Sequence, residues 1–243
     1  MTLASIAVVG ALAAAGSRVL ANGYSNWAVI VVAGDWHAHD GSPSEIFDNA
    51  RRDVSAALVN IGFDPNNVLQ FSVRPQRYPG TLNADAAAIA NSLWDLSNRT
   101  SGGCLLYFSS HGAPSGLVLG DAILSPDKLA SMVSNACADR PTVVVISACY
   151  SGVFLGDLQG PDRMVVTAAR LDRTSFGCGS LNKYPYFDSC FLSSIDDVRD
   201  FQTLAIRTKA CVAKMEKDTK MSPPSDPQIS IGSQIAGKLP AWR

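Results

Sequence analysis

The chain has 243 residues, 47% hydrophobic and 17% charged, which is enough apolar material for one large domain or two small ones. Lysine plus arginine number 20 against 21 acids, a net charge of −1, and no long basic run occurs, which argues against a phosphate-tracking nucleic-acid surface. No CxxC pair with matching histidines is present, so a structural zinc site is not expected.

The first element is "LASIAVVGALAAAG", residues 3–16, which carries no charge. It is too short to span a bilayer, which takes about 20 apolar residues. It fits the apolar core of a secretory signal, and Val19 and Ala21 in "RVLAN" suit a signal peptidase, although the basic start of such a signal is missing. A core helix or a mis-assigned start is the competing reading. Residues 1–21 are therefore read as a signal peptide or an apolar segment that, if retained, associates with a membrane. Residues 22–243 are read as a single exported domain, periplasmic or secreted. No repeat or low-complexity linker divides it.

"WAVIVVAG", 27–34, is a continuous apolar run of the kind a strand covered on both faces shows. Next comes a helix with Ile46, Ala50, Val54, Ala57, Leu58 and Ile61 at helical spacing and Gly62 as its stop. "NVLQFSV", 67–73, is the second strand, and 83–98 is an alanine-rich helix with Asn83 as N-cap. "CLLYFSS", 104–110, is the third strand, followed by a helix over 125–137 that begins Ser-Pro. "TVVVISA", 142–148, and "RMVVTAA", 163–169, are the fourth and fifth strands. Helices are predicted near 183–196 and 199–217, and "QISIG" reads as a short edge strand. This alternation predicts an α/β fold, a mainly parallel sheet with helices on both faces.

In such sheets ligands sit outside the carboxyl ends of the strands. Those ends carry "GDWHAH", "SHGA", "CYSG" and "ARLDRTSFGCG". If the third and fourth strands are neighbours, His111 and Cys149 meet. A thiolate attacks an amide carbon well once a histidine takes its proton, and that histidine can then protonate the leaving amine. Gly112 lets the backbone approach a substrate, and the amides of Gly112 and Cys149 suit an oxyanion site. Ala148, Ser151 and Gly152 leave room for a substrate chain. Taken singly, a cysteine at a strand end is more often a core residue and a His-Gly pair a turn. It is the pairing that points to catalysis.

"YFSSHG" followed by "VVVISACYSG" resembles the legumain-like cysteine peptidases, within the wider caspase-hemoglobinase group. "VVAGDWHAH", "FDNARRDV", "VVTAARLDRTSFGC" and "PSDPQISIG" extend the resemblance to about residues 27–232. It implies a caspase-like three-layer sandwich, with Cys149 as nucleophile, His111 as general base and acid, and no metal or organic cofactor. It further implies a protein or peptide substrate cut after Asn or Asp, with transamidation as a variant outcome. Ser147 occupies the place of a family pocket acid, two residues before the nucleophile. Asp188 matches a pocket aspartate, and Thr174 and Ser175 match pocket hydroxyls. The family's Arg-His pair has no counterpart near 44–47, which leaves the cut-site residue open. No long C-terminal extension follows, so activation is expected to differ or to be unnecessary.

Other groups have plainer readings. His37 and His39, with Asp35 and Asp40, form a solvated loop, orient His111, reach a ligand or bind a metal. Arg173 grips a substrate group or belongs to a turn. Asp48, Arg51, Arg52 and Asp53 form a charged helix face with local pairs. Trp27 and Trp36 are core anchors. Cys104 is a small core residue, and Cys178, Cys190 and Cys211 are the better bridge candidates, their connectivity open. Two rivals to the peptidase remain: a catalytically silent peptide-binding module of the cell envelope, and a thiol hydrolase of esters or small amides.

Overall fold

Apolar runs become the central strands because a strand with a helix layer on each side meets no water on either face. The computed structural model describes residues 23–242, so the N-terminal apolar segment and the reading of residues 1–21 lie outside the described residues. In chain order the elements are β1 (Ala28–Ala33), α1 (Ile46–Asn60), β2 (Val68–Ser72), β3 (Leu82–Asn83) and α2 (Ala86–Arg99). Then follow β4 (Cys104–Ser109), β5 (Gly112–Ala113), β6 (Gly116–Leu119), β7 (Ala122–Leu124) and α3 (Pro126–Cys137). The rest are β8 (Thr142–Ser147), α4 (Leu155–Leu158), β9 (Arg163–Thr167), α5 (Tyr186–Ile195), α6 (Phe201–Asp218) and β10 (Gln228–Ile231).

The main sheet runs β10-β9-β8-β4-β1-β2-β3, parallel throughout except for β10, which returns antiparallel along β9 as the predicted edge strand. Alternation along each strand divides the core into two layers. Val29, Val31, Leu105, Tyr107, Val143 and Val145 face α1, α5 and α6. Ile30, Val32, Leu106, Phe108, Val144 and Ile146 face α2, α3 and α4. Burying such side chains contributes about 1.5–3 kcal/mol each, so the continuous runs commit the chain to three layers. Trp27 is a core anchor as expected, packed edge-on against Tyr24 and Phe63, whereas Trp36 is half-buried with the Arg74 guanidinium over its ring.

Several local readings need correction. Asn83 lies in β3, and the cap of α2 is Asp85, whose carboxylate accepts the N–H of Ala88 at 2.9 Å. Asp48 and Arg51 are not a solvated face: they are 3% and 4% exposed and paired at 3.0 Å beneath β2, where Ser72 donates to the Asp48 carboxylate. Burial pushes the Asp48 carboxyl above its usual range, and Arg51 offsets this only in part. Arg52 and Asp53 do form the expected outer pair. Residues 112–124, to which the sequence pattern assigned no element, form a separate three-stranded antiparallel sheet, β5-β6-β7. Its turns use Gly116 and Gly120 at φ of 141° and 57°, a signal present in the sequence but hidden by the shortness of the strands.

Two of the three bridge candidates, Cys190 and Cys211, do pair, whereas Cys104, read as a small core residue, is bridged as well. Cys104 is bonded to Cys137, tying the start of β4 to the last turn of α3, and Cys190 is bonded to Cys211, tying α5 to α6. Cys178 is free. Cys104 is buried as predicted, but its side chain points at α3, a placement set by packing and not by spacing. Among the described residues, no helix is long and apolar enough to cross a membrane.

Candidate active site

The parallel pairing of β4 with β8 sets Ser109 beside Ser147, and the Ser110 N–H donates to the Ser147 carbonyl at 3.1 Å, which carries the register one step past the strands. The chains then part. One delivers His111 and the other Cys149, both half-buried on the wall of a single cavity of about 440 Å³. Topology thus brings together the two residues that the sequence singled out.

The turn after β8 holds Cys149 outward. Tyr150 takes a left-handed conformation, φ 56°, and its N–H donates to the Arg173 carbonyl at 2.8 Å. Ser151 accepts the Ala169 N–H at 3.0 Å. Arg173 therefore serves the turn through its backbone. A Cβ on Gly112 would fall well inside contact distance of the Cys149 carbonyl oxygen, so this close approach of the two turns requires glycine. Among the described residues the Cys149 N–H has no backbone acceptor. Gly112→Ala is expected to push the turns apart and lower kcat by about a hundredfold, with a folded protein by circular dichroism.

His111 is fixed on two sides. Its Nε2 lies 3.1 Å from the His37 carbonyl oxygen, and its ring meets Phe47 edge-on at 5.0 Å between centroids. An Nε2–H donating to His37 leaves Nδ1 for the cleft. The loop presenting that carbonyl is held by Asp35, which accepts the N–H of Trp36 at 2.6 Å and that of His37 at 3.1 Å, and which pairs with the His37 ring at 2.7 Å. His37 thus orients His111 through its backbone, while His39 faces the cavity and Asp40 is turned to Ser42. The alternative of a metal on these histidines finds no support: among the described residues no group of three or more His, Cys, Asp or Glu could hold one.

Cys149 Sγ makes no hydrogen bond with the His111 ring. It accepts the Ser175 N–H at 3.2 Å and lies 3.5 Å from the Ser175 hydroxyl. The cavity wall continues through His39, Thr174, Ser175, Asn182, Tyr186 and Met221. Thr174 and Ser175, which the resemblance matched to pocket hydroxyls, line this wall. Asn182, Tyr186 and Met221 went unforeseen, since nothing in their spacing marks them. Cys178 also lines the cavity, and burial, with smaller contributions from Cys149 and Asp188, pushes its thiol well up.

Ser147 and Asp188 do not line the cavity. They are 2% and 0% exposed, because the first turn of α5 lies against the ends of β4 and β8. The Asp188 carboxylate accepts from Tyr107 at 2.6 Å, Ser147 at 2.7 Å and Ser109 at 3.0 Å. No ion pair reaches it among the described residues. Burial pushes its pKa up to about 6, against the opposing effect of the three hydroxyls. A carboxyl raised in the folded state contributes its stability in the protonated form, fully below the ordinary aspartate value and lost as pH rises through about 6. Asp188→Asn is therefore expected to gain about 2 kcal/mol relative to wild type on going from about pH 4 to about pH 7, measured by denaturant unfolding at both. A gap that stays constant with pH contradicts the assignment.

The family model described as the peptidase C13 family matches residues 13–222. No curated protein sequence matches the chain significantly. Among solved structures, caspase-1 from Spodoptera frugiperda aligns with a TM-score of 0.63 at 16% identity, covering 87% of this chain and 88% of that one. The three-layer arrangement is thus a caspase-like fold, as the resemblance implied.

Proposed function

Because the chain belongs to the peptidase C13 family, the legumain-like cysteine peptidases, we propose that it cleaves peptide bonds through a thioester on Cys149, with His111 as general base and acid. The observation that carries this reading is the placement of both side chains on one cavity wall by the β4–β8 register. The Sγ electron pair attacks the substrate carbonyl carbon, and the thiol proton passes to the His111 ring. The Ser175 N–H is placed to favour charge on sulfur, and the amides of Gly112 and Cys149 are the proposed donors to the carbonyl oxygen as it becomes an oxyanion. The C–N bond then breaks, and the departing amine takes the proton from His111. Water, deprotonated by His111, attacks the thioester carbon; the C–S bond breaks, the acid leaves, and the proton passes from His111 back to Sγ. An amine in place of water would give transamidation.

The separation of sulfur and imidazole suits this scheme, because the substrate enters between them and each group then works on its own side of the scissile bond. For the cut-site residue we propose asparagine, with aspartate second. Thr174, Ser175 and Asn182 offer uncharged donors and acceptors, which match a carboxamide, and His39 is the wall group able to pair with a carboxylate. His39→Ala is accordingly expected to lower cleavage after Asp more than cleavage after Asn. We also propose export, a reading supported by two disulfides in a chain of this size.

A mixed peptide library read by mass spectrometry tests the function. Cuts grouped after Asn and Asp, absent in Cys149→Ala, support it. A folded protein that leaves every peptide intact while Cys149 ignores a small thiol-reactive probe points instead to the silent binding module.

A further inference from the structure

The carboxylate of Asp188 is an expensive group to bury. No cation pairs with it among the described residues, and an apolar side chain would fill the same space at lower cost. What distinguishes it is the set of groups it holds. Tyr107 and Ser109 are alternate residues of β4 and so share the face toward α5, and Ser147 is the register partner of Ser109 on β8. One oxygen takes Tyr107, and the other takes Ser109 and Ser147 together. Ser109 lies two residues before His111, and Ser147 two before Cys149. The carboxylate thus joins the last residues of the two strands just before they diverge into the catalytic turns. Its own helix is fixed in turn by the Cys190–Cys211 bond to α6.

We infer that Asp188 is a positioning residue, a clamp on Ser109 and Ser147 that sets the separation of His111 and Cys149. This rests on the reading of those two as the reacting pair. The clamp touches neither substrate nor reacting atoms, and it differs from a pocket aspartate gripping the residue before the cut bond, which would need to reach the cavity. The strand ends would otherwise be held only by the backbone ladder, which is free to fray where the chains part.

The test compares wild type with Asp188→Ala, Asp188→Asn and Ser147→Ala, with His111→Ala and Cys149→Ala as controls. In Asp188→Ala, kcat is expected to fall roughly a hundredfold with KM little changed, since small misplacements of a reacting pair cost about that much. Asparagine keeps an acceptor for Tyr107 and a donor for a serine oxygen, so Asp188→Asn is expected to recover most of kcat and to leave the cut-site residue unchanged. Ser147→Ala, the mildest change, reproduces part of the loss if Asp188→Ala does not fold. A second arm needs no peptidase activity: the pH profile of Cys149 alkylation by iodoacetamide, read on the Cys149 peptide by mass spectrometry to separate it from Cys178. The profile in Asp188→Ala, or in Ser147→Ala, is expected to move toward that of His111→Ala. Two results overturn the clamp: unchanged kcat and alkylation in Asp188→Ala and Ser147→Ala, or a loss confined to KM with an altered cut-site residue in Asp188→Asn. If Cys149→Ala still cleaves, the pair itself is misread, and the alkylation arm still decides whether Asp188 governs the spacing.

Discussion

Cys149→Ala is expected to abolish peptide cleavage, and His111→Ala to lower kcat by about ten-thousandfold, because residues that act as one unit each carry nearly the whole effect. The two losses should not add: the double variant should match Cys149→Ala alone. The physical ground is the division of labour in the cleft. Sγ accepts the Ser175 N–H and its thiol hydrogen points to the Ser175 carbonyl oxygen, and the His111 ring is fixed by the His37 carbonyl and Phe47. Steady-state kinetics on one peptide settle the matter. Near-normal kcat in either single variant would place the chemistry elsewhere.

Reduction of the two disulfides is expected to cost about 3–4 kcal/mol for each bridge in the chain-entropy account, given sequence separations of 33 and 21. The loops do not overlap, so the losses should be close to additive. Their sum approaches the whole stability of many domains, about 5–15 kcal/mol. The setting has a chemical tension. A reductant keeps Cys149 available for attack yet, once the chain opens, releases the bonds that hold β4 to α3 and α5 to α6. Brief mild reduction should therefore preserve activity, whereas denaturant unfolding under reductant should move to a far lower midpoint. Thiol titration of the denatured, unreduced protein should find two free cysteines, Cys149 and Cys178. Six would show that the bridges do not form and would remove the support they give to export.

The strands were the legible part of the fold. β1, β4 and β8 are buried at every position, and burial on both faces leaves an uninterrupted apolar run that needs no partner to be read. His111 and Cys149 were legible for a related reason: each follows such a run, and in a parallel sheet the residues after neighbouring strands converge. Gly112 could be read as a close approach but not as the contact with the Cys149 carbonyl. What escaped the sequence depends on which helix covers which strand. Asp48 and Arg51 look like a solvated pair until β2 covers them, and Cys104 looks like a core thiol until α3 presents Cys137. The His37 carbonyl could not be foreseen, because a backbone acceptor carries no residue type. Asp188 matched a pocket position by resemblance, yet its surroundings come from the fit of α5 against the ends of β4 and β8.

The central claim is a covalent bond between substrate and Cys149, and the most direct measurement is its capture. Wild-type protein mixed with a cleavable peptide, quenched in acid within one turnover and mapped by mass spectrometry, should carry the N-terminal half of that peptide on Cys149. The adduct should be released by hydroxylamine, as a thioester is. Cleavage that proceeds with Cys149 unmodified at every quench time, and that survives Cys149→Ala, would contradict the account.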